Sequence, residues 1–308
     1  MMGHRRGILR SACVLACLLT GGARASAQEV ALTFDDLPRH GALPSGWTRI
    51  EIAKRLVRAL QEAEVPRPFG FINAQKLEDD PALMEVLETW RAAGFPLGNH
   101  TYSHINLHAS SPEEFAEDVA LNEPLLEELM GEEDWRWLRF PFLREGDTLE
   151  KRAAVKRYLS DRNYRIALAS LDFEDYLWNA PYARCLDAGD EESLAWLRSS
   201  YLETAAEFIE LGREMTRLGY GRDVKHIMLL HVGAFNAEML PELISLLRGE
   251  GFEFIELEAA AADPVYSNVP DVASKWGLTL GEQLSEHKGI AVPEHNRKPY
   301  EKLKAICR

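Results

Sequence analysis

The chain has 308 residues, 46% hydrophobic and 27% charged, with 49 acidic against 35 basic side chains and a formal net charge of −14. That mix belongs to a folded globular protein with room for a large core, not to a disordered or membrane-embedded chain. The acidic balance opposes phosphate backbones and anionic lipid surfaces, so neither nucleic acid nor a membrane anchor is expected, and a neutral or cationic ligand stays open.

Residues 1–27 read as an export signal. Arg5, Arg6 and Arg10 precede the apolar run Ser11–Leu19, and Ala25-Ser26-Ala27 offers a small-x-small cleavage site before Gln28. The run is too short for a permanent span, and Arg5-Arg6 suits either a general secretory or a twin-arginine leader, so a periplasmic or secreted protein is expected. Val14-Leu15-Ala16-Cys17 is only a weak lipidation pattern, because the apolar run continues past it. Cleavage after Ala27 leaves 281 residues with 31 basic and 49 acidic side chains, a net charge of −18. Of four cysteines, Cys185 and Cys307 remain, able to form one disulfide or to stay as two buried thiols.

From Gln28 onward, short apolar runs alternate with longer amphipathic ones. Val30–Phe34, Pro68–Asn73, Phe95–Asn99, Trp135–Phe140, Tyr164–Leu171, His226–His231 and Phe252–Leu257 read as strands. Glu51–Glu64, Ala82–Ala93, Glu113–Met130, Glu192–Leu218 and Ala237–Arg248 read as helices. Ser111-Pro112-Glu113-Glu114 carries a helix-start signature, and Pro124 is expected to kink or interrupt the helix that follows. Residues 259–308 fit no barrel element and read as a tail wrapped on a domain spanning 28–258. Seven strands alternating with helices imply parallel βαβ units, closed into a barrel or wound into an open sheet.

In such folds chemistry gathers at the C-terminal ends of strands. There lie Asp35-Asp36, His100 with His104, Arg139-Phe140-Pro141-Phe142, the stretch Asp172–Asp175, and His231. The four-residue spacing of His100 and His104 suits one helical face, and Asp36 would complete three metal ligands, leaving a position open for water as in catalytic zinc. Asp35 would then be free to act as general base and His231 as general acid. The pattern His-Thr-Tyr-Ser-His lacks the glutamate of zinc peptidases, and the αβ alternation argues against a non-haem iron oxygenase. With no Gly-x-Gly-x-x-Gly and no phosphate loop, a nucleotide cofactor is not expected. The acids Asp35, Asp36, Asp172, Glu174 and Asp175 suggest a negative rim that favours neutral or amino-bearing ligands. Trp47, Tyr102, Tyr176 and Trp178 are candidate stacking platforms for a ligand or core residues. His40 reads as a turn residue or a substrate contact.

In these motifs, taken in order from Glu29 to Leu257, the sequence resembles the polysaccharide deacetylase family, the NodB-homology carbohydrate esterases. The resemblance implies a distorted barrel of seven or eight βα units and removal of acetyl groups from a carbohydrate. It further implies Asp35 as catalytic base and a divalent metal, zinc or alternatively cobalt, on Asp36, His100 and His104. In the same way it implies Arg139 as a brace for the base, the Phe142 amide as an oxyanion donor, Asp175 as the partner that orients the acid, and His231 as that acid. Leu37-Pro38 stands where the family commonly has Gly-Pro, Phe142 where it has Tyr, and Tyr176 where it has Trp. The helical insert Asp187–Gly221 is placed to wall the site. Two other readings stay open: a different C–N hydrolase on the same fold (a deformylase or amidase), or an envelope carbohydrate-binding protein with weak catalysis.

Overall fold

A computed structural model describes residues 28–296 and 298–308; the expected leader lies outside the described residues. Seven parallel strands form one sheet: β1 (Gln28–Leu37), β2 (Phe69–Ile72), β3 (Leu97–Asn99), β4 (Trp137–Leu138), β5 (Arg165–Ile166), β6 (His226–His231) and β7 (Phe252–Phe254). The order is β5-β4-β3-β2-β1-β6, with β7 pairing the first residues of β1. Every connection carries helix across the outer face. That covering explains why β1 and β6 are apolar runs rather than alternating ones, since strands packed on both faces need apolar residues on both.

The sheet curls. After β5 the chain crosses to the far edge, where Leu171 bridges Met228 of β6 and the amides of Ser170 and Leu171 both donate to Ile227 O. This crossing is why the predicted strands 135–140 and 164–171 shorten to two residues each, and it closes a distorted (β/α) barrel. Ala31, Phe69, Phe71, Trp137, Ala167 and Ile227 fill the inside, while their neighbours Val30, Leu32 and Ile72 face the helices. A Cβ on Gly98 would lie 2.8 Å from the rings of both Phe69 and Phe71, so the interior aromatics require glycine there.

Helices form where amphipathic spacing and caps agree. Arg49–Glu62 starts at the Thr48 hydroxyl, and Pro112–Met130 at a full capping box between Ser111 and Glu114. The latter runs through Pro124 without interruption. Pro124 lies on the exposed face, where the carbonyl it leaves without a partner can reach water.

Residues beyond Leu257 are tied to this body. The helix Leu280–Lys288 packs along the long helix Glu191–Tyr220, with Gln283 donating to Glu145 and accepting from the buried Arg152. Arg152 also pairs with Glu145 at 2.9 Å. The helix Tyr300–Ala305 ends beside a Cys185–Cys307 disulfide, Cα to Cα 5.1 Å. Among the described residues, no helix is long and apolar enough to cross a membrane.

Candidate active site

Adjacent residues of a regular strand point to opposite faces, yet Asp35 and Asp36 both border one cavity. The register against β2 shifts between Phe34 and Leu37, and Asp36 takes a left-handed φ of 70°. This bulge brings two successive carboxylates to the same rim; the following Leu37–Pro38 peptide is cis.

Asp35 sits above the buried guanidinium of Arg139, Nη1 to its two oxygens at 3.2 and 3.3 Å. Arg139 is held in turn by Ala167 O (2.5 Å) and Thr33 Oγ1 (2.9 Å). Burial raises the Asp35 carboxyl above its ordinary value, and Arg139 offsets part of that. Across β1 and β6, Asp35 is the register partner of His231. Asp175 accepts from His231 Nδ1 at 2.7 Å and from its backbone amide at 2.8 Å, and Asn236 donates to the same carboxylate. Burial alone would lower the imidazole, but Asp175 outweighs it and lifts His231 to about 9. Near neutral pH His231 is therefore charged and carries a proton on the nitrogen that Asp175 does not hold.

His100 and His104 do not share a helical face. They lie on a loop after β3 in which Thr101 and His104 both have φ of 61°. Buried asparagines shape it: Asn73 donates to the carbonyls of His100 (2.6 Å) and Thr101 (3.0 Å), and Asn99 accepts from the Thr101 amide (2.8 Å) and from Asn122 (3.0 Å). Side-chain donors and acceptors at these positions let the chain leave the helical path that the spacing alone suggests. His100 Nδ1 lies 2.8 Å from Arg139 O. A carbonyl only accepts, so that nitrogen carries the hydrogen and Nε2 presents its lone pair to the cavity.

The ligand atoms of Asp36, His100 and His104 lie within 4.8 Å of one another. Burial drives both imidazoles down to about 3. For Asp36 burial acts upward but is overcome by the His40 hydrogen bond and Lys76, which hold the carboxyl well below its usual range. Two neutral imidazoles and an ionised carboxylate are the donor forms a divalent metal needs, so the residues fit one. Two further neighbours crowd Asp36: His40 Nδ1 at 2.7 Å and Lys76 Nζ at 3.0 Å. His40, read as a turn residue or a substrate contact, lies inside the site, its ring 4.7 Å from that of His231. Its four-residue distance from Asp36 within one tight loop was the available signal.

Phe142 sits in a turn with φ of 59°, its ring 4.5 Å from His104 and 53% exposed. The next two amides close the turn, Leu143 to Phe140 O and Arg144 to Pro141 O, while Phe142 itself borders the cavity. Of the four candidate platforms only Tyr176 borders it, with its ring 5.3 Å from His231. Trp178 is fully buried against Phe173 and Tyr201. Trp47 packs between Arg55 and Tyr182, and Tyr102 bonds Glu78. The rim is also less negative than its acids suggest. Asp35, Asp36, Asp175 and Glu174 each face a cationic partner, respectively Arg139, Lys76, His231 and Lys298, and burial raises Asp172 to about 6.

The cavity has a volume of about 500 Å³. The insert helix contributes Phe208, Leu211 and Met215 to its wall, and the tail contributes Trp276, which no sequence pattern singled out.

A curled parallel βα sheet with its chemistry-bearing residues on the C-terminal rim is the barrel-like fold of carbohydrate deacetylases. The chitin deacetylase of the fungal pathogen Colletotrichum lindemuthianum shares it with a TM-score of 0.53 at 20% identity, over 82% of this chain and 92% of that one. A mutant, with restored enzymatic activity, of a CE4 family pseudoenzyme from Bacillus anthracis superposes with a TM-score of 0.50 at 17% identity, over 77% of this chain and 68% of that one.

The polysaccharide deacetylase family model matches residues 22–158, a little less than half of the chain. The peptidoglycan-N-acetylglucosamine deacetylase of Bacillus cereus is 28% identical over 148 residues, 48% of this chain. The match spans 46% of that relative's length.

Proposed function

We propose that the chain is a metal-dependent hydrolase that removes acetyl groups, N-acetyl foremost, from a carbohydrate outside the cytoplasm. The observation that carries this reading is the pairing of a buried Asp–Arg couple with a largely buried His–Asp couple across β1 and β6, beside three converging ligand side chains. Zinc or cobalt held by Asp36, His100 and His104 would polarise the acyl carbonyl and make a bound water more acidic.

Asp35 takes the proton of the attacking water at its carboxylate, its raised basicity fitting it for the task. Arg139 keeps that carboxylate oriented and prevents it from becoming an isolated buried charge. The Phe142 amide donates to the oxyanion as it develops. His231 donates its free ring hydrogen to the departing amine or alkoxide, and Asp175 holds the other nitrogen so that the imidazolium stays aligned. Each carboxylate and imidazole of this set is present, which favours a working catalyst over a binding protein without turnover.

The test is acetate release from N-acetylglucosamine oligomers and acetylated xylan by the purified protein, before and after chelation and metal return. Activity that disappears with the metal and returns with it supports the reading. Acetate release that is indifferent to chelation contradicts it.

A further inference from the structure

The tail does more than wrap the barrel: it closes one side of the cavity. Trp276, Gly277 and Thr279 stand beside Phe142 and Leu143, so close that a Cβ on Gly277 would lie 1.7 Å from Phe142 O. Glycine is therefore required where the tail meets the oxyanion turn. The Leu278 and Leu280 amides donate to Leu143 O (3.3 Å) and Ala169 O (2.9 Å), stitching the tail to the barrel rim. Farther on, the chain returns over the insert helix. The His295 ring packs on Phe208 at 5.4 Å, Lys298 Nζ lies 4.2 Å over the same ring, and Asn296 bonds Glu207. The strap then reaches the opposite lip, where Lys298 pairs with Glu174 at 2.9 Å and Tyr300 donates to the same carboxylate. Arg184 grips the carbonyls of Leu303 (3.0 Å) and Ile306 (3.1 Å), and the Cys185–Cys307 disulfide fastens the end.

The other side of Asp36 and His40 opens into a hollow lined by Arg39, Gly41 and Arg49, with no tail residue along it. The site is thus open at one side and walled at the other. A polymer strand lying across the metal-ligand cluster would run into Trp276, Gly277, Val292, His295 and Lys298. The cavity's 500 Å³ falls within the roughly 300–1,000 Å³ that encloses ligands of drug size, which is also the scale of a di- or trisaccharide. Trp276, 71% exposed at the wall, offers an indole face on which a terminal sugar ring can stack.

We propose that the tail restricts the enzyme to short acetylated oligosaccharides or the ends of longer chains, with Trp276 holding the terminal sugar. This rests on the deacetylase reading above. The experiment compares kcat/KM for acetate release from N-acetylglucosamine dimer and trimer with that from a soluble, long, partly acetylated chitosan, expressed per acetyl group. Two variants accompany the intact protein: Trp276→Ala, and Lys298→Ala/Tyr300→Phe, which releases the strap from Glu174 without touching the buried disulfide.

The expected result is that the intact protein prefers the short substrates by about tenfold or more. Strap release raises the polymer-to-dimer ratio, and Trp276→Ala raises KM for the dimer more than it lowers kcat. Equal or better activity on polymer in the intact protein, or a ratio unmoved by strap release, overturns the restriction while leaving the deacetylase reading in place. No acetate from any of these substrates by the metal-replete protein overturns both.

Discussion

Asp35 and His231 are register partners across neighbouring parallel strands, so the spacing of the proposed proton acceptor and proton donor is fixed by backbone hydrogen bonds of the barrel rather than by a loop. Each carries its own buried counter-ion, Arg139 below and Asp175 beside, and these act on opposite charge types. Two titratable groups on adjacent strands are thereby pushed toward opposite roles.

With His231 as the proposed donor, the His231–Asp175 pair is expected to set the alkaline side of the pH profile. A raised histidine value means that the charged donor form is present below about 9 and is lost as pH rises through it. In Asp175→Asn the main cause of the rise is removed, so the alkaline limb of kcat/KM moves toward the ordinary histidine value. The rate falls by on the order of 10²- to 10⁴-fold. A profile unchanged in its alkaline limb would show that His231 is not the donor.

Arg139→Met leaves the Asp35 carboxylate buried without its partner and is expected to cost about 3–5 kcal/mol of stability, because the desolvation penalty remains after the attraction is gone. Denaturant unfolding checks this. The double variant Arg139→Met/Asp35→Asn should recover most of the loss, since no buried charge then remains.

Tyr176 and Trp178 separate by their exposure. Tyr176→Ala, at the cavity, is expected to raise KM with little change in thermal stability. Trp178→Ala empties a fully buried site and should cost about 3–5 kcal/mol. Parallel kinetics and melting curves on the two proteins distinguish them.

Asn122 touches no proposed ligand, yet it donates to Ile72 O and Asn99 and accepts from the Ala74 amide, supporting the loop that carries His100 and His104. Asn122→Ala is expected to weaken metal binding by about 10–100-fold, as loss of an outer support does. Competition with a chromophoric chelator reads this without any activity assay.

How much of this was legible in the sequence varied by residue. β1 and β6 stand out as apolar runs because both their faces are covered, and Asp35 and His231 follow from reading what ends those runs. Asp36 is harder: simple alternation would turn it away from Asp35, and only the bulge at a left-handed aspartate brings them together. The His100–His104 spacing suggested a helix, whereas Asn73, Asn99 and Asn122, distant in sequence, impose the loop. The roles of Trp276 and Lys298 were invisible locally, because their placement depends on a long helix insert and a tail meeting over the barrel mouth. Trp178 shows the converse, an aromatic next to a motif that serves only the core.

The most direct measurement is acetate release set beside metal content for the intact protein and for Asp35→Asn. With Asp35 as base and Asp36, His100 and His104 as ligands, both proteins should bind about one equivalent of zinc or cobalt. The variant should lose activity by on the order of 10²- to 10⁴-fold while keeping its metal. Full acetate release by metal-replete Asp35→Asn would contradict that division of roles.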